Sequence, residues 1–324
     1  MTTAEEAHAR PESPYDREVH VAAAADEPRR PWPGHGVDVA GQRLYVRRAG
    51  TPGAPPALFV HGLGGSSTNW TDLMALLADR VDGHAIDLPG FGRSGPPVTG
   101  NYSLDSHVGV VRDYIEQTCD KPVHLLGNSL GGAVTTRLAA ERPDLVRTLT
   151  LVSAALPSYR PQKVSDPRLP LLLVPGLSRV AARAIGRRSP EERTRGIIEM
   201  CFADPAAVPG ARFAEAVEDM RRRRALAWND DALIRSLRGL VRADIETGSR
   251  ALWRQAASLQ MPVLVIHGTH DRLVPVSVGR RAGRVIPGSR LLILDDAGHV
   301  PQMERPEAVE RAFDELLAAA DAAA

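Results

Sequence analysis

The sequence predicts an α/β protein built on a mostly parallel sheet, with a helical insertion. Three observations lead there. Short apolar runs of strand length alternate with helix-spaced segments at both ends of the chain. The alternation stops between about residues 155 and 255, where helical stretches follow one another without a convincing strand, and then resumes. Several apolar runs end in glycine-rich turns, and one such turn encloses a serine.

The first 33 residues are rich in Ala, Pro and charge, and they lack the apolar stretch of a secretion signal, so they read as a disordered leader. "GVDVAGQRLYVRRAG" (36–50) reads as two strands turning near Ala40-Gly41. "PALFVHG" (56–62) is a buried strand ending in glycine, "NWTDLMALLADR" (69–80) has helical spacing, and "GHAIDLPG" (83–90) is a strand and turn. A helix over 104–118 precedes the strand "PVHLLG" (122–127), and a second helix runs from Ser129 to about Glu141 before the strand "VRTLTLVSA" (146–154). The pattern returns with "MPVLVIHG" (261–268), a helix near 276–286, "SRLLILDDAGH" (289–299) and a last helix from about Pro306. Residues 34–154 and 256–324 thus form one core, and 155–255 a helical cap or lid inserted between its strands.

Bulk properties narrow the function classes. The chain has 324 residues, 43% hydrophobic and 24% charged, which is ordinary for a globular protein, and a net charge of +1. That balance gives no whole-chain attraction for nucleic acid. No run approaches the roughly 18 apolar residues of a membrane span. Two cysteines, Cys119 and Cys201, do not make a disulfide framework, and with no export signal in view they point to the cytoplasm. No metal-ligand spacing, dinucleotide fingerprint or P-loop is present, so no cofactor or metal is expected.

The chemistry centres on Gly127-Asn128-Ser129-Leu130-Gly131, which fits G-x-S-x-G between a strand and a helix. A strand-to-helix elbow holds a serine in a strained conformation and displays its hydroxyl at the strand's C-terminal end. A serine nucleophile needs a base, and the base an orienting acid. Asp271 lies just past the strand "PVLVI" and His299 just past "LLILD", both where loops at C-terminal strand ends converge. Asp295 and Asp296 are the alternative acids. The N–H of Leu130, after the nucleophile, and that of Leu63, in the turn "HGLGG", are the candidate oxyanion-hole donors. Of the other histidines, His61 reads as a brace for that turn, His124 and His267 as core, and His270 as pointing away. Asp87 reads as a loop-fixing residue.

"HGLGG", "DLPGFGRS", "GNSLGG", "HGTHDRLVP" and "AGHVPQMERP" together resemble the α/β-hydrolase superfamily over about residues 36–319. The resemblance implies an eight-stranded, mostly parallel sheet flanked by helices, a helical cap after the sixth strand, and hydrolysis through Ser129, His299 and Asp271. Serine at 129 argues against the epoxide hydrolases and haloalkane dehalogenases, which use aspartate. The expected reaction is hydrolysis of a small-molecule carboxylic ester with an apolar acyl group, as in esterases and lipases. Lactone, thioester or carbon–carbon bond hydrolysis remain open, as does a hydrolase-fold ligand-binding protein. "GNSLGG" is similar to the elbow of hydrolases that cleave ring-opened aromatic diketones, but "HGLGGSS" and the Val300-Pro301-Gln302-Met303 run after His299 depart from their pattern.

The cap says less. It holds 19 basic against 12 acidic residues. An anionic substrate or a membrane surface would explain this, but solvated helix faces in an arginine-rich chain explain it as well and are preferred. "RRRR" (221–224) covers a full helical turn, so its charges cannot all face one site. The apolar "LPLLLVPGL" (169–177), with Met200, Phe202, Trp228 and Trp253, would line an acyl pocket or form cap core. If it is the acyl pocket, removing residues 160–245 loses the preference for long acyl chains and keeps some activity on acetate esters.

Overall fold

The computed structural model describes residues 31–158 and 188–322. The expected leader, up to residue 30, and the stretch 169–177 lie outside the described residues.

Strands β1 (Gly34–Val39) and β2 (Gln42–Gly50) form the expected hairpin. Its two-residue turn has positive φ at both Ala40 (48°) and Gly41 (81°), the backbone twist that a tight hairpin requires. The remaining strands are β3 (Pro56–Val60), β4 (Asp82–Asp87), β5 (Val123–Asn128), β6 (Val146–Val152), β7 (Val263–Gly268) and β8 (Arg290–Leu294). They make one eight-stranded sheet in the order β1-β2-β4-β3-β5-β6-β7-β8. β1 and β2 run antiparallel to their neighbours, and every other pairing is parallel. β5 and β7 are buried along their whole length, as central parallel strands covered on both faces must be.

Helices α1 (Thr71–Leu76), α2 (Leu104–Thr118) and α3 (Leu130–Glu141) join the early strands. α2 starts where Ser103 accepts the Ser106 N–H, and it buries Val108, Val111 and Ile115, one face at helical spacing. Between β6 and β7 the described chain contains no strand. It holds α4 (Pro190–Cys201), α5 (Gly210–Arg224), α6 (Asn229–Asp244) and α7 (Leu252–Ala257). α8 (Val276–Val285) joins β7 to β8, and after β8 a short helix, α9 (Pro301–Glu304), precedes α10 (Pro306–Ala322).

The core has two layers. One face of the sheet packs under α2, α3, α7 and α8, the other under α1 and α10. α3 carries a fully buried arginine, Arg137, paired with Asp105 on α2 (2.6 Å) and with Glu246 just past α6 (2.5 Å), and bonded to Gln255 on α7 (3.2 Å). A buried guanidinium is tolerated only when so paired, so the end of the insertion is fixed onto α3.

Candidate active site

Ser129 sits between β5 and α3 at φ 53°, ψ −115°, a conformation that side-chain-bearing residues rarely adopt. The flanking glycines make the bend possible by close approach. A side chain at 127 would meet the Gly131 carbonyl at 2.5 Å, and one at 131 would strike the Val60 carbonyl. The Ser129 N–H donates to Val152 O (3.1 Å), which holds the elbow against β6.

Asp271 and His299, from the loops after β7 and β8, meet. Asp271 Oδ2 lies 2.9 Å and Oδ1 3.1 Å from His299 Nδ1, with both side chains buried. A carboxylate only accepts, so Nδ1 carries the proton and Nε2 keeps a lone pair. Burial alone would raise the Asp271 carboxyl, but His299 and then His267 hold it well below the usual carboxylate range. The Leu273 and Val274 N–H groups also donate to Oδ1 (2.8 and 2.9 Å), fixing the loop around its acid. The alternative acids lie elsewhere: Asp296 is 74% exposed and faces His270 at 3.8 Å.

Asn128, which sequence reasoning passed over, joins the two halves of the site. Its Nδ2 donates to Val152 O and to His299 O, both at 3.1 Å. Among the described residues the Ser129 hydroxyl makes no hydrogen bond to the imidazole, a bond that in this chemistry commonly closes only around substrate. His267, read from the sequence as core, is indeed buried in β7. Its Nε2 donates to Val274 O (2.9 Å) and also lies 3.3 Å from Asp271 Oδ2, so it backs the acid.

The turn after β3 passes directly over the elbow. A Cβ on Gly62 would lie 3.0 Å from Ser129 Cβ. His61 Nε2 accepts the Leu88 N–H (2.9 Å), so its Nδ1–H donates to Gly62 O (2.7 Å), and burial pushes its pKa down and keeps it neutral. Arg223 of α5 donates to Gly64 O. The carbonyls on either side of Leu63 are therefore occupied. The Leu130 N–H opens α3, among the N–H groups that a helix leaves without an internal partner. Asp87 accepts from Ser67 N (2.6 Å) and Arg93 N (2.8 Å), fixing the neighbouring loops.

The insertion touches the site through backbone. Cys201 O, at the end of α4, accepts the His299 N–H at 2.6 Å. The four arginines of 221–224 diverge: Arg221 pairs with Glu191, Arg222 with Asp219, Arg223 reaches Gly64, and Arg224 reaches Arg188 O (3.2 Å). Trp253 is core, bonded to Pro157 O (2.9 Å) and covered by Arg281. Among the described residues no cluster of three or more His, Cys, Asp or Glu side chains is arranged to hold a metal, and no helix is long and apolar enough to cross a membrane.

A family model described as the alpha/beta hydrolase fold matches residues 55–306. The dihydrolipoyllysine-residue acetyltransferase component of the acetoin cleaving system of Cupriavidus necator is 31% identical over 272 residues, 83% of this chain. This chain spans 64% of that protein's length. Lipase 3 of a Moraxella species is 25% identical over 77% of this chain and 73% of its own. Among solved structures, a 2-hydroxy-6-oxo-6-phenylhexa-2,4-dienoate hydrolase from Rhodococcus superposes with a TM-score of 0.71 at 25% identity, covering 88% of this chain and 99% of that one.

Proposed function

Because the chain belongs to the alpha/beta hydrolase fold family and is a hydrolase, we propose that it cleaves small-molecule carboxylic esters through an acyl-enzyme on Ser129. The observation that carries this reading is the joining of the strained serine elbow to a buried His–Asp pair through Asn128. His299 Nε2 takes the Ser129 proton as the hydroxyl oxygen attacks the ester carbonyl. The Leu63 and Leu130 N–H groups receive the developing oxyanion. His299 returns the proton to the leaving alcohol, which departs and leaves the acyl-enzyme. Water then attacks with the same base, and the acid product and free serine result. Asp271 keeps the imidazole in the required tautomer throughout. Helices α4 to α6 belong to a cap over this site, and an apolar acyl group is the preferred substrate part.

Carbon–carbon hydrolysis is the second reading, favoured by the likeness to the dienoate hydrolase. The test is labelling by a fluorophosphonate, followed by p-nitrophenyl esters of increasing chain length beside a ring-opened dienoate. Ser129→Ala is expected to fold, to lose labelling and to lose all turnover. Turnover of the dienoate alone would select the second reading. Absence of both labelling and turnover in the wild-type chain would leave a binding protein.

A further inference from the structure

Glu304 lies on α9, five residues beyond His299, and among the described residues its side chain makes no hydrogen bond to Ser129 or to the imidazole. It is half-buried, and the charge of its chain neighbour Arg305 acts on it beside the backbone N–H groups that it accepts from. Burial pushes its carboxyl up, against the backbone donors that it accepts from. Oε1 accepts the Gly298 N–H at 2.8 Å and Oε2 the Ala203 N–H at 2.7 Å. One carboxylate therefore bridges the histidine loop and the segment leaving α4. That segment also holds His299 directly, through Cys201 O (2.6 Å), and it receives Arg272, the neighbour of Asp271, at Phe202 O (3.0 Å) and Glu199 O. Residues 199–203 are thus a common platform for the acid loop and the base loop.

We infer that Glu304 is a positioning residue for the hydrolysis, holding the His299 backbone so that the imidazole meets Asp271 on one side and Ser129 on the other. The inference rests on the serine-hydrolase reading. An anchor with only a structural role would need neither a second oxygen on the residue before the histidine nor a partner in the same segment that also takes the acid loop. With the Gly298 and His299 N–H groups and the His299 carbonyl all occupied, the loop has little freedom left except rotation of the side chain. A displacement of about 1 Å at a reacting group is enough to cost about 100-fold.

The experiment compares Glu304→Gln, Glu304→Asp and wild type, each alone and with Asp271→Asn. Gln keeps the shape but sets an N–H₂ against a backbone N–H. Asp keeps the charge but not the reach. Both are expected to lower kcat for one p-nitrophenyl ester by about 10- to 100-fold, with KM within about twofold and the fluorophosphonate reaction slowed in parallel. In the Asp271→Asn background the same changes cost less than about threefold, because the geometry they disturb is already lost. Wild-type kcat in the Gln variant overturns the inference, and so does an equal loss in both backgrounds, which marks a general structural role. Should the Gln variant not fold, the Asp variant carries both readouts. Hydrolysis that survives Ser129→Ala instead defeats the serine-hydrolase reading, whatever Glu304 does.

Discussion

At Asp271 the carboxylate is held ionised by two histidines while burial opposes it, so replacing it by an amide removes charge and tautomer control together. Asp271→Asn is expected to lower kcat by about 10⁴ with little effect on KM, because the amide favours the wrong imidazole tautomer. A loss of less than about tenfold in steady-state kinetics would show that the acid lies elsewhere. His267→Phe should keep the fold of β7 but lower kcat by about tenfold, since it removes one of the two imidazoles facing the acid. The meeting of Asp271 with His299, and the Ser129 elbow, were legible in the sequence because each residue follows an apolar strand. Asn128 and His267 were not. Their contacts reach Val152, His299 and Val274 across the fold, and such contacts leave no local spacing to read.

Among the elements, α2 was legible to the residue because its apolar face and its Ser103 cap are both local signals. α9 was missed: it is four residues long, with no room for a period. The helical character of the insertion was legible, but its backbone contact with the base was not. That contact changes what its removal should do. Deleting residues 160–245 takes away Cys201 O, the acceptor for the His299 N–H, together with the Ala203 end of the platform. Activity is therefore expected to fall at least about 100-fold on acetate as well as on long-chain esters, and not on long-chain esters alone. The check is the chain-length profile of a folded deletion variant, and retained acetate activity would return the insertion to a purely substrate-lining role.

For the whole molecule, acid sensitivity follows from buried rings. His107, on α2 and bonded to Ser236 of α6, and His124 in β5 are both pushed down to about 4 by burial. In the unfolded chain each titrates near about 6.5. Between these values the unfolded state binds the extra protons, so stability falls as pH drops from about 6.5 and the loss is complete below about 4. Each ring should contribute about 2 kcal/mol of this loss by pH 5. Tm is expected to decline from pH 7 to pH 5, and His107→Gln, which keeps a polar group for Ser236 without a titrating ring, should lessen the decline. An identical decline in the variant would clear His107 of the effect. The bond from Asn128 to His299 has one more consequence, in time. It closes across 171 residues of chain. At ribosomal rates of about 5–20 residues per second, the elbow emerges roughly 10 to 30 s before its base exists. A nascent or truncated chain that stops short of that loop carries Ser129 without His299, so the proposed hydrolysis can begin only after residue 299 has been made and folded back onto the elbow.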